Sequence, residues 1–189
     1  DGVNLRATSG GEIFLPVVTS YVGNDHAHTT IEANGVGSRI DLSSLATFEG
    51  GGEFWQLYPG WADRGYWTNY TTYVKALAGG EVDLSGVLSH RSELTADGAG
   101  SVLGVSGVTS MDGASLTAAN GAVWIFSPGW QPLWLGTGNT INTTGAGGQF
   151  INQSQIALSG GSLSINGGAF VNEGVLAPQA GGVLDFNGA

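Results

Sequence analysis

A glycine corner recurs along this chain at a fixed offset behind a short apolar run, and that repeat restricts the possible folds more than any other feature. Ile31 leads to Asn34-Gly35, Leu94 to Asp97-Gly98, Leu163 to Asn166-Gly167 and Leu184 to Asn187-Gly188. Looser copies start at Leu5, Val74, Leu116 and Ile141, so successive lead residues lie 26, 43, 20, 22, 25, 22 and 21 positions apart. A period in the low twenties with a turn at a set place is the signature of a solenoid.

Inside each repeat, apolar and polar residues alternate. Ile31 and Ala33 share one side, and Ile40 and Leu42 share it again after the corner. Period-two alternation bounded by Gly reads as half-buried strand. The spacing predicts an all-β chain: a parallel β-helix (β-solenoid) of about eight turns, with two or three short strands per turn. One turn cannot bury its apolar side alone, whereas stacking at the strand spacing of ~4.8 Å makes a continuous core. The same alignment puts Glu12, Arg39 and Glu81 in one column, so opposite charges meet in neighbouring turns. It also stacks Asp41 on Asp83, like charges that must splay into solvent or share a cation.

Composition narrows the partners. Fifteen acids against five bases give a net charge of −10, and no basic stripe exists to engage nucleic acid. There is no Cys, hence no disulfide framework or thiol chemistry. No apolar run approaches the roughly 20 residues of a membrane-crossing helix, so no membrane insertion is expected. Residues 1–189 read as a single solenoid module. It stops in mid-repeat without a polar cap, which suggests a piece of a longer polypeptide whose further solenoid or catalytic modules are its neighbours.

Several strings resemble rungs of large secreted bacterial β-helix proteins. They include Gly79-Gly-Glu-Val-Asp-Leu-Ser-Gly86 and Gly37-Ser-Arg-Ile-Asp-Leu-Ser-Ser44. Phe150-Ile-Asn-Gln-Ser-Gln-Ile156 and Phe170-Val-Asn-Glu-Gly-Val-Leu176 look like the F-x-N-x-G-x-L rungs of autotransporter passengers and filamentous adhesins. The resemblance implies a right-handed β-helix, a secreted or cell-surface location and an adhesive or glycan-facing role. Its motifs are architectural and name no catalytic residue.

Function is then sought where the repeat breaks. Three stretches do not repeat: Val22–Thr30, Glu49–Tyr73 and Val123–Thr140. Insertions at equivalent places emerge on one side of a solenoid, often the binding side. All six Trp lie in the second and third stretches, and Pro-Gly-Trp occurs twice, at 59–61 and 128–130. Pyranose rings present C–H faces that pack on indole, and polar neighbours bond hydroxyls. The expected carbohydrate-binding residues are Trp55, Tyr58, Trp61, Asp63, Arg64, Tyr66, Trp67, Tyr70, Trp130 and Trp134, with Gln56, Asn69 and Gln131 flanking them. The favoured function is non-catalytic binding of a polysaccharide such as cellulose or another plant or cell-wall glycan. Against it stands a structural or adhesive segment of a large bacterial surface protein, in which the aromatics merely seal a satellite core. A third reading is a polysaccharide lyase or glycoside hydrolase using Glu53 and Asp63 as an acid/base pair. The scarcity of Lys and Arg counts against a lyase. No cofactor is expected. Asp25, His26 and His28 form a weak metal-ligand pattern, and calcium at Asp41 and Asp83 lacks the nonapeptide repeat that would support it. The sequons at Asn69, Asn142 and Asn152 read as chance matches in a Ser/Thr-rich chain.

Overall fold

The computed structural model describes residues 2–126, 133–136, 138–158, 160–167 and 169–187. These form strands and turns, with no helix among the described residues. Each turn of chain lays down three short strands, as in Thr29–Asn34, Arg39–Leu42 and Thr47–Glu49. The next turn sits on it in parallel register: Ile31 on Val74, Ile40 on Val82, Phe48 on Leu88. The molecule is a parallel β-solenoid. Its first face stacks eight strands, from Leu5–Thr8 to Val183–Asn187. Eight layers enclose about seven turns, in keeping with the eight read from the spacing.

Alternation decides which side chains turn inward. Thr29–Asn34 and Thr72–Leu77 both run buried, half-buried, buried along their length, the period-two pattern of a strand with one covered side. The corner that ends the first of these strands needs Gly35, whose φ of 95° is closed to residues with a Cβ. Inside, Ile31, Ile40, Phe48, Val74, Val82, Leu88, Leu94, Leu103, Met111 and Leu116 are fully enclosed and belong to one continuous core. Aromatic rings stack along it as well. Phe150 lies 6.3 Å from Trp124 and 5.5 Å from Phe170, both nearly parallel.

The lead residues fall into one column as expected from Leu5 through Ile31, Val74, Leu94 and Leu116 to Ile141. At the next layer the register slips by two. Ile141 faces Ile165, whereas Leu163 faces Asn139. A two-residue slip preserves which side chains point inward, and an amide ladder rewards it. Asn166 donates to Asn142 at 2.9 Å and Asn187 donates to Asn166 at 3.2 Å. With Leu163 opposite Ile141 that ladder would be out of step. Asn139, opposite Leu163, is enclosed among core residues, where its amide donates to the carbonyls of Met111 and Gly136 and accepts from Ala114 N–H.

The third expected insertion is mostly rung. Val123–Phe126 is a solenoid strand paired with Gln149–Asn152, and Leu133–Leu135 is another, paired with Gln155–Leu158. Trp124 is therefore a core residue with 0% exposure, its indole N–H donating to the Thr117 carbonyl at 2.9 Å. It has the inward parity of Phe126 and Phe150, which fills its counterpart position one layer on. Trp130, Gln131 and the second Pro-Gly-Trp lie outside the described residues.

Candidate functional site

The second insertion is a true departure from the solenoid. Between Glu49 and Thr72 the chain leaves the stack as an antiparallel hairpin, Glu53–Leu57 against Gly65–Asn69, the one antiparallel pair among the described residues. Its sequence explains it: two runs carrying paired aromatics, Phe54-Trp55 and Tyr66-Trp67, flank Tyr58-Pro59-Gly60-Trp61. Pro fixes φ for the first central position of a turn and Gly supplies the positive φ of the second. Gly60 has φ 83°, and Trp61 N–H donates to the Tyr58 carbonyl at 3.0 Å to close the turn. Tyr58 N–H donates to Arg64 at 2.9 Å, extending the ladder to the tip.

Cross-strand pairing sorts the side chains onto two sides. Trp55 faces Trp67 and the rings meet edge to face, 5.2 Å apart at 63°. On the other side Gln56 faces Tyr66, whose hydroxyl donates to Gln56 Oε1 at 3.0 Å, and Tyr58 leans on Tyr66 at 5.3 Å. Neither side is covered by the solenoid. Trp55, Trp61 and Trp67 keep 41%, 52% and 60% of their surface open, and Phe54, Leu57, Tyr58 and Tyr66 are exposed too. Arg64 lays its guanidinium over the Trp61 ring at 4.7 Å.

The base of the hairpin is held by residues from the layers before and after it. Arg91 donates to the Gly52 carbonyl at 2.8 Å and pairs with Glu53. His26 places its ring 4.3 Å from Phe54 while bonding Asp25. That bond holds the Asp25 carboxyl below its ordinary 3.8. His28 accepts from Thr71 N–H through Nδ1 at 3.0 Å and packs on Tyr70 and Tyr73. The two histidines and Asp25 thus brace the hairpin instead of converging on a point. Among the described residues no three His, Asp or Glu gather as a metal site.

Of the expected binding residues, the structure gathers Trp55, Tyr58, Trp61, Asp63, Arg64, Tyr66 and Trp67 on the hairpin. Tyr70 is half-buried at its base against His28 and serves as support. Trp134 stands apart on the solenoid wall, 39% exposed, reached from Thr47 by three register steps through Val87 and Ser110. Three steps at the usual strand spacing are about 14 Å. Glu53 and Asp63 lie at opposite ends of the hairpin. Glu53 sits at the base opposite Asn69, Asp63 lies beyond Leu57 at the tip, and four strand residues between base and tip span about 13 Å, more than the 6.5–9.5 Å an inverting pair needs.

The column of charges behaves as the alignment implied: Glu12, Arg39 and Glu81 are in register. The stacked Asp41 and Asp83 do share a cation, but it is the chain's own. Arg39 approaches Asp83 at 2.7 Å, Asp41 at 3.5 Å and Glu81 at 3.3 Å. The Arg39 guanidinium thus occupies the place between the carboxylates that a bound calcium would need. Bonds from the Ser43 hydroxyl and N–H hold the Asp41 carboxyl below its usual range, while burial and the nearby Asp83 push Glu81 up. The sequence reading missed Arg91 and His26 as braces. Both act across about forty or thirty positions of chain through a loop whose course no local pattern announces.

Comparison with protein-family models, with curated proteins and with solved structures finds no match to this chain. Fold and site together define its class: a parallel β-solenoid that carries an exposed aromatic hairpin.

Proposed function

We propose that this chain is a non-catalytic carbohydrate-binding module, secreted or held at the cell surface, whose hairpin stacks aromatic side chains on a polysaccharide. One observation carries the reading. The solenoid core is continuous without the hairpin, yet the hairpin displays three indoles and two phenols to solvent. Exposed apolar groups gathered in this way mark interaction sites in soluble proteins. Trp61 and Trp67 are the most open rings and are assigned the stacking role. Asn69 offers a hydroxyl-bonding group on the side of Trp67, and Gln56 and Tyr66 offer theirs on the opposite side. Because Trp55 and Trp67 meet at 63°, the ligand is gripped in a corner between rings and not laid along a flat row. Trp134 supplies a second contact along the wall for a long chain.

The separation of Glu53 from Asp63 supports the non-catalytic reading over a lyase or hydrolase. A structural or adhesive role in a bacterial surface protein is the second reading. It is favoured by the contacts the hairpin aromatics make with one another, which let them hold shape without a ligand. Retention on insoluble cellulose, on chitin and in gels of soluble plant glycans separates the two. The binding reading expects the chain to be retained by at least one of them, and Trp61→Ala and Trp67→Ala to release it. Equal retention of both variants would abandon the assignment in favour of the adhesive segment.

A further inference from the structure

We propose that the polysaccharide held by the hairpin carries protonated amines, as a glucosamine polymer does, and that uronate polymers are excluded. The inference rests on the hairpin being a glycan site and assigns the chemistry of its ligand. It begins from the five basic residues, each already engaged within the fold. Arg6 pairs with Glu32 at 3.2 Å, Arg39 is shared by three carboxylates, and Arg91 is bound to Gly52 and Glu53. Arg64 lies on the Trp61 ring, and Lys75 lies over the Tyr73 ring at 5.3 Å. A uronate carboxylate arriving at the hairpin would find at the tip only Arg64, stacked on Trp61 and next to Asp63 in the chain, while Arg91 at the base is already paired with Glu53. It would also approach a chain of net charge −10.

An ammonium meets the opposite situation. Asp63 is exposed at the tip and Glu49 is exposed where the hairpin leaves the solenoid, and neither has an ion-pair partner among the described residues. The open faces of Trp55, Trp67, Tyr58 and Tyr66 carry the negative quadrupole that attracts a cation. Arg64 over Trp61 shows within the molecule that a cation settles on these rings. An amino sugar satisfies both demands with one residue: its C–H face packs on an indole and its ammonium reaches a neighbouring ring or the Asp63 carboxylate. A neutral glycan meets only the first.

The test is calorimetric titration of the full chain with oligomers of glucosamine, N-acetylglucosamine and galacturonate of equal length, at mildly acidic pH where the amines are protonated. The glucosamine oligomer is expected to bind tighter than its acetylated form by about fivefold, the scale of one or two exposed cation–π or ionic contacts. Added salt and Asp63→Asn both narrow that gap. Trp67→Ala removes binding of the glucosamine and acetylated oligomers alike, which attraction to bulk negative charge alone would not do. If the acetylated or the galacturonate oligomer binds as tightly as the glucosamine oligomer, the amine preference is overturned while glycan binding stands. If no oligomer binds to the wild-type chain, glycan binding and the amine preference fall together.

Discussion

Arg39 shows how one side chain can settle a column of the solenoid. Stacking turns at the strand spacing brings Asp41 and Asp83 side by side, an arrangement that costs free energy unless a cation comes between them. Arg39 is that cation, and its planar fork lets one group reach carboxylates on two layers. The neighbouring acids then titrate in opposite senses. Asp41, held low by the Ser43 bonds, contributes stability that is present above its unfolded value near 3.9 and is lost as pH falls through the lower folded value. Glu81, held high by burial and by Asp83, contributes the reverse: the folded state gains as pH falls through its raised value. Thermal melts across the acid range should therefore show a flatter decline for Asp41→Asn than for the wild type. A decline as steep as wild type would mean that the Ser43 bonds do not distinguish the folded from the unfolded carboxylate.

At the scale of the element, the hairpin is two strands with neither side packed on the core, and an isolated pair of that kind is marginal in water. Its persistence depends on its own ring contacts and on the braces at its base. Arg91 is the strongest of these, joining the carbonyl of Gly52 and the carboxylate of Glu53. Arg91→Met keeps the stem of the side chain and removes both bonds. The expected outcome is a hairpin that samples more orientations while the solenoid stays intact: faster amide exchange confined to residues 53–69, an unchanged far-ultraviolet spectrum, and glycan affinity reduced by roughly tenfold, about the loss of one charge-assisted bond of 1.5 kcal/mol. Exchange that quickens across the whole stack would show instead that Arg91 supports the core.

For the whole molecule, position in the layer outweighs residue type. Trp124 and Trp134 lie ten residues apart in one stretch, yet one is enclosed and the other stands on the wall. Trp124→Ala should cost about 3–5 kcal/mol in denaturant unfolding, as for other fully buried aromatics. Trp134→Ala should cost under about 1 kcal/mol, typical of a surface site. Comparable losses for the two would contradict the assignment of Val123–Phe126 to the solenoid wall. The repeat made the layers legible because alternation and Gly corners act locally, within one strand and its turn. The lead residues from Leu5 to Ile141 align as their spacing implied. What stayed hidden depends on contacts between layers. The slip at Ile165 is chosen by the amides of Asn142 and Asn166. The burial of Trp124 was readable from its parity with Phe126 and Phe150, and Trp124 is not among the expected binding residues, although the stretch around it reads as an insertion. The hairpin was signalled by Pro59-Gly60 between two aromatic runs, although its braces were not.

The corner from which the hairpin springs is crossed by residues 23–28 in the layer before it and by residues 90–91 in the layer after it, while residues 50–71 cross it here. The strands on either side keep step across all three. Whatever length of chain is placed at this point, Thr72 still lands on Thr29 and Ser92 on Thr72. The solenoid therefore behaves as a rack with a standard fitting: a different hairpin could be mounted at the same position, changing what the surface recognises while the column beneath it stays as it is.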